Sequence, residues 1–279
     1  MKSLSVFILI FFFSRISFAQ YYYQDIIATQ QANNKWKLYK INKVKSVSIS
    51  SLESNGQPTE GFACRQNLTK DFSKMTTYTK TDFSRETFLT SFYNENGWLQ
   101  NTIDTGKNYI STTEYAYNES GNVVSVVNTS AETESGRTDK EEHLWKYNSA
   151  GKPIGMTKIK NNSDSTFIRF LIDEKSNITE EHAFRNNIEL PVVYYYYDDS
   201  NRLTDIVRYN EKAKRLLPDY IFSYNDKSQL IAMIYIPEGS TDYQKWVYDY
   251  NATGLRVNET CYNKQKELIG KIEYQYGFL

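Results

Sequence analysis

Along residues 86–279, aromatic and apolar residues recur at steps of two, and each such run ends in a short polar cluster. The cluster has a consistent form: an aromatic residue, Asn or Asp, two loosely specified residues, Gly or a small polar residue, then an apolar residue. Tyr93-Asn94-Glu95-Asn96-Gly97-Trp98-Leu99 and Tyr117-Asn118-Glu119-Ser120-Gly121-Asn122-Val123 are two copies. The leading residues of the copies, Tyr93, Tyr117, Tyr147, Ile172, Tyr197, Tyr224, Tyr250 and Tyr276, follow one another at intervals of 24 to 30 residues. Two positions before them stand Tyr115, Trp145, Phe170, Tyr195, Phe222, Tyr248 and Tyr274, with Ser91 as the exception. Four positions before stand Leu89, Thr113, His143, Ile168, Val193, Tyr220, Trp246 and Ile272. Apolar residues at steps of two form one face of a strand. The Asx residue bonds its own backbone and Gly tolerates positive φ, so the polar cluster predicts a turn. After it, apolar pairs such as Leu99/Ile103, Val123/Val127, Leu203/Val207 and Leu230/Ile234 predict a returning strand with one apolar face.

A single hairpin of this kind has too little apolar surface to stand alone, so neighbours must share it. The pattern therefore predicts an all-β fold. Tandem antiparallel β-hairpin repeats over residues 86–279 form a continuous meander or a solenoid-like twisted sheet. Residues 20–85 read as an N-terminal cap region with a diverged hairpin. Within it, Tyr21 to Ala32 is a short helix or an extended lead. Val44 to Leu52 alternates, and Asn55-Gly56 is a turn signal before Phe62-Ala63-Cys64.

The first residues carry an address. Lys2 provides a positive start, Leu4 to Phe13 an apolar run, and Ser17-Phe18-Ala19 small residues at the −3 and −1 positions before Gln20. This predicts a signal peptide over residues 1–19 and an exported product, periplasmic, at the cell surface or secreted. The apolar run is half the ~20 residues that a spanning helix needs, and no later segment is apolar enough for a transmembrane helix.

The chain has 279 residues, with 33 Lys+Arg against 33 Asp+Glu, and removal of residues 1–19 takes away Lys2 and Arg15, which leaves it slightly acidic. That balance lacks the basic footprint of nucleic-acid binding, so no nucleic acid is expected among the partners. Export makes a Cys64–Cys261 disulfide chemically possible, but many intervening strands of an open sheet would hold the two thiols far apart.

The string aromatic-x-Tyr-Asp/Asn-x-x-Gly-x-Leu resembles the YD repeat of Rhs-type bacterial proteins. Tyr195-Tyr196-Tyr197-Asp198-Asp199-Ser200-Asn201-Arg202-Leu203 is the copy nearest that form, and the likeness extends over residues 86–279. The chain departs from the family in its longer period and in the frequent Ser or Asn for Gly and Asn for Asp. The resemblance implies a β-hairpin repeat fold and no particular activity.

Chemistry is sparse. The two histidines, His143 and His182, sit on predicted strands and read as strand residues. Glu141-Glu142 and Glu180-Glu181 are adjacent carboxylates whose members point to opposite faces of a strand. No zinc spacing, nucleophile elbow, phosphate loop or dinucleotide fingerprint is present, so neither a cofactor nor catalysis is expected. The aromatic ladder itself reads as packing. Trp98, Tyr194, Tyr196 and Tyr243 lie off it and are the candidate binding surface, because amphipathic rings on a rigid sheet stack on sugars or anchor proteins. Two functions are compatible with these features. The first is a non-catalytic secreted or periplasmic YD-repeat scaffold that binds a glycan or an envelope protein. The alternative is an outer-membrane β-barrel, which shares the leader, the alternation and the aromatic richness; an envelope hydrolase comes after both.

Overall fold

The structure, a computed structural model, describes residues 21–82, 85–237 and 240–279. The leader expected at residues 1–19 lies outside the described residues. Among those described there is one helix, α1 (Gln24–Ile41), followed by nineteen strands. The first group is β1 (Val44–Glu53), β2 (Ala63–Leu68), β3 (Lys74–Thr81), β4 (Arg85–Tyr93), β5 (Leu99–Thr105), β6 (Tyr109–Tyr117) and β7 (Val123–Glu132). Next come β8 (Thr138–Tyr147), β9 (Pro153–Lys160), β10 (Asp164–Ile172), β11 (Ile178–Arg185), β12 (Ile188–Glu189) and β13 (Val193–Tyr197). The last are β14 (Leu203–Asn210), β15 (Arg215–Tyr224), β16 (Leu230–Tyr235), β17 (Gln244–Tyr250), β18 (Arg256–Asn263) and β19 (Leu268–Phe278).

Each strand pairs antiparallel with the next in the chain, except that β12 does not pair with β13, and β1 pairs with both β2 and β19. The register of that last pair runs from Val44↔Phe278 to Glu53↔Gly270. The two-residue β12 pairs only with β11, which β13 also joins, so β12 and β13 form one interrupted wall strand. The sheet is thus an eighteen-strand closed barrel. This corrects the expected open meander or solenoid-like sheet: β1 supplies both edges with a partner, and closure leaves no unpaired edge. Residues 44–81, expected in a cap, contribute β1, β2 and β3 to the same wall.

The turn chemistry follows the sequence reading. The Asn118 Oδ1 accepts the N–H groups of Ser120 and Asn122 at 3.1 and 3.0 Å, and Asn148, Asp198, Asn225 and Asn251 do the same in their turns. The position three residues after each Asx has positive φ, from +58° at Asn201 and Ser228 to +84° at Gly254. The leading tyrosines have a second role. Tyr117, Tyr147, Tyr224, Tyr250 and Tyr276 donate their hydroxyls to the carbonyls of Leu99, Val123, Leu203, Leu230 and Arg256. Each accepting residue opens the returning strand of the preceding repeat, so the tyrosines stitch one hairpin to the next.

One expectation of the alternation is overturned. A register shift follows the turn in each of these hairpins, for example between Tyr93↔Leu99 and Phe92↔Asn101. The bulge inserts one residue and exchanges the two faces beyond it. Leu99, Val123, Leu203 and Leu230 therefore face inward with the tyrosines, whereas Ile103, Val127, Val207 and Ile234 face outward, opposite Thr90, Glu114, Tyr194 and Ile221.

Inside the barrel, α1 carries Asp25 in its first turn and Lys40 in its last, each sign matched to the helix dipole. At 1.5 Å per residue it is about 27 Å long. Eighteen strands at roughly 4.8 Å spacing give a wall just under 30 Å across before tilt, so the helix reaches from one side to the other. Its N-terminal end packs with Trp145, Phe170, Tyr195 and Ile206. Its C-terminal end, through Trp36 and Tyr39, packs with Val47, Leu68, Phe72 and Tyr93. Gln30, Gln31, Asn34, Lys37 and Ile41 form an exposed stripe.

Two substitutions separate turn strain from helix packing. Gly136 and Gly97 both have positive φ, but a Cβ on Gly136 meets nothing within 4 Å while one on Gly97 lies 2.3 Å from the Trp36 ring. Gly136→Ala is expected to cost about 1–2 kcal/mol of backbone strain. Gly97→Ala adds about 1–3 kcal/mol of overpacking against α1. Urea midpoints of the two variants check the ordering, and Tyr147→Phe should lose about 0.5–1.5 kcal/mol with its stitch.

Candidate functional site

The chemistry of the molecule is concentrated where α1 meets the inner wall. Strand alternation sends Glu141, His143 and Trp145 of β8 inward, together with Lys158 of β9 and Glu181 of β11. The Asp25 carboxylate, on the first turn of α1, sits 2.6 Å from His143 Nδ1 and accepts the Trp145 indole N–H at 3.2 Å. His143 Nε2 is 3.1 Å from Glu141, and Lys158 Nζ is 2.8 Å from the other oxygen of Glu141. Beside this chain, Glu181 accepts the backbone N–H groups of Tyr22 and Tyr23 at 3.0 Å each and the Tyr195 hydroxyl at 2.7 Å. These bonds satisfy N–H groups that lead into the helix and have no intrahelical acceptor.

Burial and charge oppose each other here. Burial pulls the His143 pKa down, but Asp25 and Glu141 outweigh it and hold it up at about 9. Burial likewise raises Glu141, and the hydrogen bonds from His143 and Lys158 reverse this to about 2. Glu181 is held above the ordinary carboxylate range by burial, against the pull of its donors. With both ring nitrogens of His143 engaged, the cluster binds the helix and leaves no free base.

A second polar group holds the other end. Arg256 pairs with Glu259 at 2.8 Å and stacks over the Tyr248 ring at 4.3 Å, and Tyr274 donates to the same carboxylate. Lys35 of α1 faces this group; burial, and then Arg256, bring its pKa down to about 8. Asn33 accepts the Leu99 N–H at 2.9 Å, and the Trp36 indole donates to the Phe72 carbonyl at 2.6 Å.

The four expected surface aromatics do not converge. Trp98 lies tilted against Tyr117, ring centroids 5.3 Å apart, at the rim of the Asx turns, and Tyr243 precedes β17 at the opposite rim. Tyr194 and Tyr196 share the outer face of β13, where Tyr196 is 47% exposed. His143 is the strand residue the sequence implied, though bridged to carboxylates, while His182 lies outward between Glu180 and Glu189 at 2.7 and 2.6 Å. Glu141 and Glu181 turn inward and their neighbours outward, as alternation required. Asp25, Lys158, Arg256 and Glu259 were not singled out; an inward register position for an acid or a base was the available signal. Cys64 and Cys261 are both buried and free. They stand on β2 and β18, three strand spacings apart, on the order of 14 Å, and bridging fails once Cα atoms are beyond about 7 Å. Among the described residues no group of three or more His, Cys, Asp or Glu is placed to hold a metal ion.

No family model and no curated protein matches the chain. Among solved structures it is similar to a porin-like protein from Bacteroides uniformis, with TM-score 0.41 and 11% identity over 84% of this chain and 98% of that one. It is also similar to part of the TcdB2-TccC3-Cdc42 structure, with TM-score 0.32 and 10% identity over 78% of this chain and 16% of that one. A third is part of the Photorhabdus luminescens Tc holotoxin pore, with TM-score 0.30 and 10% identity over 84% of this chain and 17% of that one.

The secreted or periplasmic YD-repeat scaffold, an open sheet presenting aromatics to a glycan or envelope protein, is corrected by the closed wall. Closure turns the ladder aromatics Trp145, Phe170, Tyr195, Trp246 and Tyr248 into the barrel, where each is no more than 6% exposed.

The His143 bridge predicts an alkaline loss of stability. Its folded pKa lies above the unfolded value of about 6.5, so its contribution is complete below that value and disappears as pH rises through about 9. The size is on the order of 3 kcal/mol. Urea midpoints of the parent chain should fall between pH 7 and pH 10, and those of His143→Gln should stay flatter; parallel curves would refute the bridge.

Proposed function

We propose that the chain is a closed β-barrel protein of the cell envelope whose bore is stoppered by its own N-terminal helix. The observation that carries this reading is the pairing of β1 with both β2 and β19 around α1. Of the two architectures the sequence allowed, this supports the barrel. A helix across the bore, with Trp36, Trp145, Tyr195 and Trp246 buried around it, obstructs the passage of solutes. The barrel therefore acts as a sealed body in the envelope and not as an open pore, and no catalysis belongs to this reading.

The outer wall supports a water-facing position. Outward residues include Glu114, Glu142, Lys146, Arg169, Glu180, Lys245, Asp249, Lys271 and Glu273, spread over β6, β8, β10, β11, β17 and β19. Apolar residues also face outward between them, in cross-strand pairs such as Phe88 with Tyr78, Phe167 with Phe184, Tyr194 with Val207 and Ile221 with Ile234. An Arg or Lys facing lipid at the midplane costs about 2–4 kcal/mol, and charges of both signs recur around the circumference. The wall suits water and polar headgroups.

Fractionation and conductance test both halves. Osmotic shock is expected to release the protein, and the purified chain is expected to give no conductance steps in a planar bilayer. Extraction only by detergent would move the barrel into the membrane, and steady conductance from the intact chain would overturn the stopper.

A further inference from the structure

A groove of about 440 Å³ opens on the wall beside the closing seam. It is lined by Ser48 and Ile49 of β1, Ala63, Cys64 and Arg65 of β2, and Tyr78 of β3. That volume falls within the range of small-molecule sites, about 300–1,000 Å³. The strand register decides which side chains shape it. Ser48 stands opposite Arg65 and Arg65 opposite Tyr78, so the three form one outward row across β1, β2 and β3. Ala63 lies two positions from Arg65 and shares its face, whereas Ile49 and Cys64 turn the other way. The short side chains of Ser48 and Ala63, set between the long ones of Arg65 and Tyr78, leave the hollow. Beyond it the Tyr78 ring lies against Phe88 of β4, centroids 5.3 Å apart, and Phe88 is 45% exposed, so the aromatic surface continues.

One charged group here is uncommitted. Arg137, Arg185, Arg202, Arg208 and Arg256 all pair with carboxylates. Among the described residues, the exposed Arg65 guanidinium has no hydrogen-bond or ion-pair partner. The carboxylates on either flank are engaged elsewhere. Glu86 accepts the Tyr78 hydroxyl at 3.0 Å from β4, on the far side of that ring, and Glu273 of β19 takes Lys271 at 2.7 Å. A free guanidinium is a planar fork of donors that matches a carboxylate with two parallel bonds. A single fork balances one negative charge, so a monocarboxylate suits it better than a doubly charged phosphate group.

We propose that the groove binds a small organic monocarboxylate, with its acid group forked on Arg65 and its apolar body between Ala63 and the Tyr78 ring. The site is on the outer wall, so it stands or falls apart from the stopper in the bore.

Isothermal titration of the purified chain with 2-naphthoate tests it. Saturable binding is expected, roughly tenfold or more tighter than for 2-naphthylmethanol, which has the same body without the charge. Arg65→Met keeps an apolar stem and removes the fork, and is expected to weaken naphthoate binding roughly tenfold. Ala63→Leu fills the hollow and is expected to weaken it about fivefold. Arg215→Met, which removes an exposed arginine at the start of β15, is expected to leave binding unchanged. Absent saturation, equal affinity for the alcohol, or unchanged binding by Arg65→Met would overturn the proposal. So would tighter binding of 2-naphthyl phosphate, or a loss in Arg215→Met as large as in Arg65→Met. The comparison of acid and alcohol needs no variant, so it decides even where a substituted chain fails to fold.

Discussion

An eighteen-strand wall encloses more space than its own side chains can fill, and the rest of the structure answers that constraint. About eight strands is the size at which inward side chains meet across the axis. A wider closed sheet either admits water or encloses another element. Here α1 fills part of the bore, and large aromatic residues narrow what is left. Trp145 and Phe170 stack with centroids 5.4 Å apart beneath one end of the helix, while Trp36 stacks at 6.0 Å on Tyr93 at the other. The abundance of tyrosine has the same origin. Rings bury a large area per residue, and their hydroxyls find partners at a rim where apolar side chains would leave carbonyls unsatisfied. The stitch from each tyrosine falls beside the bulge that breaks the ladder, so it restores a bond where the sheet loses one.

A helix in a large bore also needs a defined position, and polar contacts supply it. Apolar packing alone tolerates sliding and rotation, whereas Asp25 between His143 and Trp145, and Glu181 under Tyr22 and Tyr23, match in only one register. Burying such charges brings little net stability, and breaking one partner is costly because it leaves the other charge unpaired. The two polar groups therefore determine where α1 sits, and the aromatic packing supplies most of the energy that keeps it there.

Much of the local structure was legible in residues close together in the chain. The Asx residue, the positive-φ position three residues later and the alternating aromatics before them act within a dozen residues, so hairpins β4–β5, β6–β7, β8–β9, β10–β11, β13–β14, β15–β16 and β17–β18 follow from the pattern. The helix was only half visible. Its apolar residues are spread around the axis because walls surround it on several sides, and a helix enclosed in this way has no single apolar stripe. The candidate site was less legible still: Asp25 and His143 are 118 residues apart, and Glu181 lies 159 residues from Tyr22.

What the sequence by itself determined is the strand, the turn and the spacing of the inward rings, because those depend on backbone preferences and on periods of two. Tertiary structure alone decided three further matters. Val44–Glu53 found Leu268–Phe278 and closed the sheet, a pairing between the two ends of the described chain that no local signal announces. The bulge sent Ile103, Val127, Val207 and Ile234 outward, since a one-residue insertion exchanges faces without altering the apolar pattern. Closure then brought Cys64 and Cys261 within three strands of each other yet out of bonding range, because strand spacing in a sheet is set by the backbone hydrogen bond and not by the side chains it carries.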